Sequence, residues 1–179
     1  DAALSFMLFK LVSSAAFAQS IKVRSFAQAI SLLGRRQLQR WLQLLLYARQ
    51  ADQGTALNPL MLRAAFRAAF MEGLCARAGG NSDERDCAFM VGIFSLLDTL
   101  FSCPLWEILK PLNISDEVRD ALIDRTGLLG QQLKIAELSD RAASPSLDLL
   151  IKNNDIAIDA FYDLQIVAYA WVNQICQEI

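Results

Sequence analysis

Histidine is absent from the 179-residue chain, and only 8 glycines and 4 prolines are present. The first absence removes the imidazole that catalytic triads and most His-containing metal sites require. The scarcity of glycine and proline leaves few places where a helix has to end. With 54% hydrophobic residues and no alternation of strand and helix patterns, the sequence predicts an all-α fold with a sizeable core and excludes a β/α barrel.

Paired cysteines and long apolar runs are also missing. The four cysteines form no C-x-x-C pair, so we expect free thiols in a reducing cytosol: Cys75, Cys87, Cys103 and Cys176. Residues 7–19 have only two strongly apolar residues between Lys10 and Ser13, too few for an export signal. No segment reaches the ~18 uncharged apolar residues of a membrane span. We therefore predict a cytoplasmic protein that has no membrane partner.

Helix-breaking and helix-capping residues divide the chain into predicted helices. A helix rich in Ala and Phe is expected to begin at Pro59 and to end before Gly79. Ser82 is expected to cap the next helix, over residues 83–101, and Asn154 is expected to cap the last one. These helices alternate with short turns, which is typical of a single compact multi-helix domain.

The predicted helix over residues 83–101 is the best candidate for the centre of the core. Between Cys87 and Phe101 the only formal charge is Asp98, which indicates that this helix is buried on nearly all sides. Gly92 lies in its interior, where glycine costs about 1 kcal/mol relative to alanine, so we predict that another helix packs closely there. A buried Asp98 would suit acid-base chemistry, but a hydrogen bond to a helix end or an arginine is the favoured interpretation.

Residues 88–98 read A-F-M-V-G-I-F-S-L-L-D. They resemble a segment of HDOD domains, the regulatory relatives of the HD phosphohydrolases, that often reads A-F-x-x-G-L-L-H-D-I-G. Ser95 and Leu96 take the places of the His-Asp pair. A hydroxyl and an isobutyl group cannot replace an imidazole and a carboxylate as metal ligands. The resemblance therefore implies an HD-like helical bundle lacking the metal site, with no metal, no cofactor and no HD-type hydrolysis.

Two further segments carry the same resemblance. Residues 8–17, L-F-K-L-V-S-S-A-A-F, are similar to the family's L-R-x-x-N-S-x-x-F element, with Ser13 where Asn is usual. Residues 25–34, S-F-A-Q-A-I-S-L-L-G, are similar to its S-I-x-x-A-I-x-x-L-G element. The closest resemblance is to the HDOD half of proteins that carry an EAL domain in front of it. The chain is therefore expected to be a fragment of a longer protein.

Charge is distributed unevenly along the chain. Residues 1–80 hold 10 Lys plus Arg against 3 Asp plus Glu, whereas residues 81–179 hold 7 against 16. Either the two halves attract each other, or the first half binds an anionic partner. Arg35, Arg36 and Arg40 form the candidate binding face, suited to phosphate or carboxylate, with a solvated helix face as the alternative. A pI of 5.1 argues against nucleic acid as the partner.

Acidic residues recur at helical spacing in the second half. Glu117, Asp120 and Asp124 share one face of a predicted helix. A magnesium site is one interpretation, but interleaved Arg119 and Arg125 favour a solvated acidic face. No nucleophile with a neighbouring base and no phosphate-binding glycine loop is recognisable.

The resemblance implies one HDOD-like domain over residues 1–179, with a motif-bearing core over residues 1–110 and C-terminal helices of the same domain over residues 111–179. We expect a non-catalytic signal-transduction domain of a bacterial EAL-HDOD protein tied to cyclic di-GMP, contacting a protein partner or an upstream EAL domain. Two alternatives remain open: a metal-dependent nucleotide phosphohydrolase with an unrecognised carboxylate site, and a sensory domain for a small anionic ligand. The sequence leaves the oligomeric state open.

Overall fold

The computed structural model describes residues 59–110, 114–140 and 145–177. Helices joined by turns account for these residues, and no strand occurs among them. In chain order the helices are α1 (Pro59–Arg77), α2 (Ser82–Phe94), α3 (Leu97–Phe101), α4 (Leu105–Leu109), α5 (Asp116–Ile123), α6 (Gly127–Ser139), α7 (Pro145–Asn153) and α8 (Ile158–Gln177). The predicted all-α fold is confirmed.

Helix α1 lies at the centre of the described helices and contacts α2, α6 and α8. Its alanines are small enough for neighbouring helices to approach closely, and its phenylalanines fill the space beside them. Phe66 and Phe70 stack with ring centroids 5.6 Å apart, and Phe161 of α8 meets Phe70 edge-on at 5.5 Å. Such pairs add roughly 0.5–1.5 kcal/mol to the free energy gained by burying their area. The side of α1 that carries Phe66 and Phe70 is therefore held against α8 by aromatic contacts.

Helix α2 approaches the backbone of α1 at Gly92. A Cβ added at Gly92 would lie 2.5 Å from both Cα and N of Ala68, and 2.7 Å from the carbonyl carbon of Arg67. Carbon atoms in contact stay about 3.5–4 Å apart, so no side chain fits between the two helices at this point. The prediction that Gly92 marks a close helix contact in the core is confirmed.

The prediction of a single helix over residues 83–101 is wrong, because α2 ends at Phe94 and α3 begins at Leu97. The Ser95 hydroxyl donates a hydrogen bond to the carbonyl oxygen of Gly92 at 2.7 Å. A hydroxyl that bonds a carbonyl of the preceding turn favours a bend or an end of the helix. The break turns Asp98 to the surface, so the expected burial of this carboxylate is also wrong.

Two helix boundaries differ from the predicted caps. Asn81, and not Ser82, caps α2: the Glu84 backbone N–H donates to Asn81 Oδ1 at 3.0 Å, and the Asn81 N–H donates to Glu84 Oε2 at 2.7 Å. These reciprocal bonds form a capping box. Asn154 does not cap α8; its Nδ2 donates to the carbonyl oxygen of Leu150 at 2.9 Å, at the end of α7.

The longest described helices are α1 and α8, with 19 and 20 residues. Their length would suffice for a bilayer, but α1 carries charged side chains within its apolar sequence, among them Arg63, Arg67 and Glu72. Across the described ranges, no helix combines the length and the apolar character that a membrane span requires.

Replacing Gly92 with alanine should destabilise the protein, although alanine is the better helix former. The added methyl group meets backbone atoms of α1 that cannot move aside without separating the helices, and overpacking of this kind costs about 1–3 kcal/mol or more. We expect a net loss of about 2 kcal/mol in the free energy of unfolding, measured by urea denaturation.

Gly73→Ala is the matched control, because a Cβ there would meet only the end of the Leu164 side chain, at 2.8 Å. A side-chain methyl can rotate away, so the change should stay within about 1 kcal/mol. Equal stability of the Gly92→Ala and Gly73→Ala proteins would contradict the close contact of α1 and α2.

Candidate functional site

Ser95, the residue at the His position of the resemblance, lies at the end of α2 and is buried, with 4% of its surface exposed. Its hydroxyl oxygen accepts a hydrogen bond from Nη1 of Arg67, on α1, at 3.0 Å. Since the same hydroxyl donates to Gly92, Ser95 is held from two sides. An arginine guanidinium therefore lies against Ser95.

Asp140, directly after α6, lies on the other side of this guanidinium. Its Oδ2 accepts hydrogen bonds from Nε of Arg67 at 3.0 Å and from Nη2 at 2.6 Å. The side chains of Arg67 and Asp140 are only 8% and 9% exposed, so the pair is largely out of water. Burying a charge is costly unless it is paired and hydrogen-bonded, and three nitrogens of this guanidinium meet that condition.

A second arginine extends this cluster along α6. Oε1 of Glu137 lies 3.8 Å from Nη1 of Arg67 and accepts a hydrogen bond from Nη2 of Arg125 at 2.8 Å. Arg125 precedes α6 in a left-handed conformation with φ of 58°, and its guanidinium also donates to the carbonyl oxygen of Leu122. We call Arg67, Ser95, Arg125, Glu137 and Asp140 the Arg67 cluster. It links α1, the end of α2 and both ends of α6.

The donor set of the Arg67 cluster does not fit a catalytic metal ion. Ser95 offers one hydroxyl oxygen, and that oxygen already accepts a hydrogen bond from a cation. A divalent ion beside Arg67 would be repelled by its like charge, and the carboxylates of Glu137 and Asp140 are already engaged by arginines. Among the residues that the structure describes, no group of three or more His, Cys, Asp or Glu side chains is arranged to hold a metal.

The other residues at the degenerate motif do not form a site. Leu96 is half-buried and offers no ligand atom. Asp98 is exposed and accepts hydrogen bonds from its neighbour Thr99, from the backbone N–H at 2.7 Å and from the hydroxyl at 3.3 Å. This local contact differs from the helix end or arginine expected as its partner. Asp98 therefore lacks the buried setting that is typical of a catalytic carboxylate.

The acidic face predicted on α5 is exposed to solvent at all three positions, Glu117, Asp120 and Asp124. The favoured interpretation, a solvated acidic face, agrees with this placement.

Burial raises the pKa of the Cys75 thiol, and the nearby Glu84 carboxylate raises it further. Burial and then Glu117 do the same for Cys87. Both thiols are protonated near neutral pH, which makes them poor nucleophiles and poor metal ligands.

The candidate binding face of Arg35, Arg36 and Arg40 lies outside the described residues. So do the two family-like segments over residues 8–17 and 25–34. The assignment of these arginines to a binding face stays a prediction.

Sequence reasoning missed Arg67 and Asp140, the two charged residues at the centre of the Arg67 cluster. A weak signal exists for Arg67, because an arginine amid the small and apolar residues of α1 has to bury its charge with a partner. No such signal marks Asp140, since the two residues are separated by 73 positions along the chain. Only the packing of α6 against α1 brings them together.

Removing the charge of Arg67 should be much more damaging than removing an exposed arginine. In an Arg67→Met variant, the Asp140 carboxylate stays buried, and among the described residues only Arg63, 3.9 Å away, remains as an ion-pair partner. Leaving a buried charge without its partner costs about 3–5 kcal/mol. We expect a loss in that range by urea denaturation, and a partial recovery in the Arg67→Met/Asp140→Leu double variant.

The matched control is Arg119→Met, which removes the exposed ion pair of Arg119 with Asp116 at 2.6 Å. These side chains are 42% and 89% exposed, and such pairs contribute less than about 1 kcal/mol. Similar losses in the Arg67→Met and Arg119→Met proteins would show that the Arg67 cluster is not the buried network described above.

Comparison with known proteins identifies the family. The HDOD domain model matches residues 1–106. Over 176 residues the chain is 27% identical to the Bacillus subtilis "Uncharacterized protein YuxH", covering 98% of this chain and 42% of that protein. Over 143 residues it is 31% identical to the Vibrio cholerae "Cyclic di-GMP phosphodiesterase CdgJ", covering 79% of this chain and 32% of that protein. No solved structure matches significantly. Since the family model covers more than half of the chain, the chain belongs to the HDOD family.

Proposed function

We propose that this chain is a non-catalytic regulatory domain that acts by binding a protein partner. One observation supports the proposal: the guanidinium of Arg67 is hydrogen-bonded to Ser95, the residue that stands in place of a histidine in the motif that residues 88–98 resemble. The arginine supplies a permanent positive charge at this point of the fold, and unlike a metal it cannot activate a water molecule as a nucleophile. What remains is a helical domain that can bind a partner through its surface.

The signalling context of the proposal comes from the relatives. One of them is named as a cyclic di-GMP phosphodiesterase, and the chain covers 32% of its length. Because the chain spans less than half of both curated relatives, the activity in that name can reside in parts that this chain does not match. We infer a regulatory role in cyclic di-GMP signalling in the bacterial cytoplasm, with an EAL phosphodiesterase domain as the partner.

Within the described residues, the charged groups support binding better than hydrolysis. Hydrolysis of a phosphodiester needs an activated water and a group that stabilises the developing charge. The carboxylates of Glu137 and Asp140 are both engaged by arginines, and Asp98 faces solvent. A phosphohydrolase with an unrecognised carboxylate site would need an acidic group free of such partners beside a bound substrate.

The first test measures whether the chain binds a metal ion and whether it hydrolyses phosphate esters. The purified chain, incubated with manganese, iron or magnesium and then desalted, should retain no stoichiometric metal by elemental analysis. It should also hydrolyse neither cyclic di-GMP nor nucleoside monophosphates. About one metal ion per chain, together with turnover that an Asp140→Asn substitution abolishes, would overturn the non-catalytic assignment.

Partner binding is the second test, and it uses the candidate face on the first half of the chain. An isolated EAL domain should bind the 179-residue chain in calorimetry, and Arg36→Glu/Arg40→Glu should weaken that binding at least about tenfold without changing the melting temperature. The charge reversal Lys152→Glu, at an exposed position of α7, is the control and should leave the affinity unchanged. No binding by the unchanged chain would contradict the EAL partner, and equal binding by the double variant would contradict the face.

A further inference from the structure

The charged side chains around Arg67 alternate in sign along a row that begins at an exposed arginine of α1 and ends at the turn between α5 and α6. In spatial order, the row consists of Arg63, Asp140, Arg67, Glu137 and Arg125. We call these five residues the ion-pair row. The side chain of Arg63 is 52% exposed and that of Arg125 is 27% exposed, whereas Arg67 is almost fully buried. Of the three arginines, the two at the ends of the row are therefore the ones that a binding partner can reach.

Each carboxylate of the ion-pair row lies near two arginines, one close and one slightly farther away. Asp140 Oδ2 lies 2.6 Å from Nη2 of Arg67 and 3.9 Å from Nε of Arg63. Glu137 Oε1 lies 2.8 Å from Nη2 of Arg125 and 3.8 Å from Nη1 of Arg67. A change in side-chain torsions can bring the farther arginine into hydrogen-bond distance without moving a helix. Each carboxylate therefore has an alternative partner within reach.

Three arginines share two carboxylates in this row, so one arginine is left with the weaker contact. In the observed arrangement this arginine is Arg63, because 3.9 Å from Asp140 is beyond hydrogen-bond distance. In a second arrangement, Arg63 pairs with Asp140. Arg67 then pairs with Glu137, and Arg125 is the arginine left over. Both arrangements contain two close ion pairs, so the exchange of partners leaves no buried charge without a counter-charge.

The exchange of partners would reach the backbone at two places. Arg125 has a φ of 58°, a region disfavoured for a residue with a Cβ, and its bonds to Glu137 and to the carbonyl oxygen of Leu122 hold it there. Loss of the bond to Glu137 would let this turn relax. At the other place, the Nη1 of Arg67 that approaches Glu137 is the nitrogen that donates to Ser95. A move of Arg67 would therefore withdraw a donor from the end of α2.

We propose that the ion-pair row is a conformational switch with two arrangements, which couples Arg63 on α1 to the turn between α5 and α6. The observed arrangement leaves Arg63 available for an anionic group of a binding partner, and such a group holds the other two arginines on their present carboxylates. An anionic group bound to Arg125 favours the second arrangement. A partner at one end of the row is thereby sensed at the other end, through side chains that it does not touch.

Hydrogen exchange of the Arg125 side chain, followed by ¹⁵N NMR of the 179-residue chain, tests the switch. The Nε–H of Arg125 donates to both carboxylate oxygens of Glu137, at 3.2 and 3.3 Å, and is open to water only in the second arrangement. Arg63→Gln removes the arginine that Asp140 needs in that arrangement. Exchange of the Arg125 Nε–H should therefore slow at least about threefold. Arg77→Gln, an exposed position of α1 outside the row, is the matched control and should leave the rate unchanged.

Asp140→Asn should have the opposite effect on the same signal. Arg67 loses its carboxylate and turns to Glu137, so the Arg125 Nε–H should exchange at least about tenfold faster, although the ion pairs of Asp140 are with Arg63 and Arg67. Asp116→Asn is the matched control, because it removes an exposed ion pair outside the row and should leave the rate unchanged.

The direction of the two effects separates the switch from a loosened fold. Loosening would speed exchange of the Arg125 Nε–H in both the Arg63→Gln and the Asp140→Asn proteins, whereas the switch predicts a slower rate in the first and a faster rate in the second. A rate in Arg63→Gln that equals that of Arg77→Gln, or exceeds it, would overturn the switch. So would an unchanged rate in Asp140→Asn.

Discussion

The close approach of α1 and α2 at Gly92 is the constraint on which the rest of the described structure depends. Gly92 has no side chain, so the backbone of Ala68 can approach it closely. A Cβ at Gly92 would lie only 2.5 Å from Cα and N of Ala68. Arg67 directly precedes Ala68 on α1, and Ser95 follows Gly92 by about one helical turn. The contact of two backbones therefore carries the guanidinium of Arg67 to the hydroxyl of Ser95, 3.0 Å away.

This arrangement shows how the described helices hold a polar centre in their interior. A buried serine hydroxyl and a nearly buried aspartate need a cation or other donors to satisfy their oxygens. Arg67 fulfils both needs at once, through Nη1 to Ser95 and through Nε and Nη2 to Asp140. Because the cation is covalently part of α1, the centre does not depend on a metal supply. In the proposed function, this centre contributes to a scaffold and not to a reaction.

Local features were predictable from the sequence, and long-range features were not. The start of α1 at Pro59 and the packing role of Gly92 follow from the chemistry of single residues. The break between α2 and α3 was missed, because an uncharged apolar run indicates one continuous buried helix until the hydrogen bond from Ser95 to Gly92 is known. The Arg67 cluster was missed because its two central charges meet only after α6 has packed on α1. The HDOD resemblance drew attention to Ser95, but it did not indicate that an arginine is hydrogen-bonded to this residue.

The central claim is that a guanidinium, and not a metal ion, occupies the environment of Ser95. Titrating Mn²⁺ into the ¹⁵N-labelled chain tests this most directly, because a bound paramagnetic ion broadens the amide signals of residues close to it. The account predicts that the amide signals of Gly92, Ser95 and Asp140 lose no more intensity than those of exposed residues on α7. Selective loss of the three signals at about one equivalent of Mn²⁺ would contradict it.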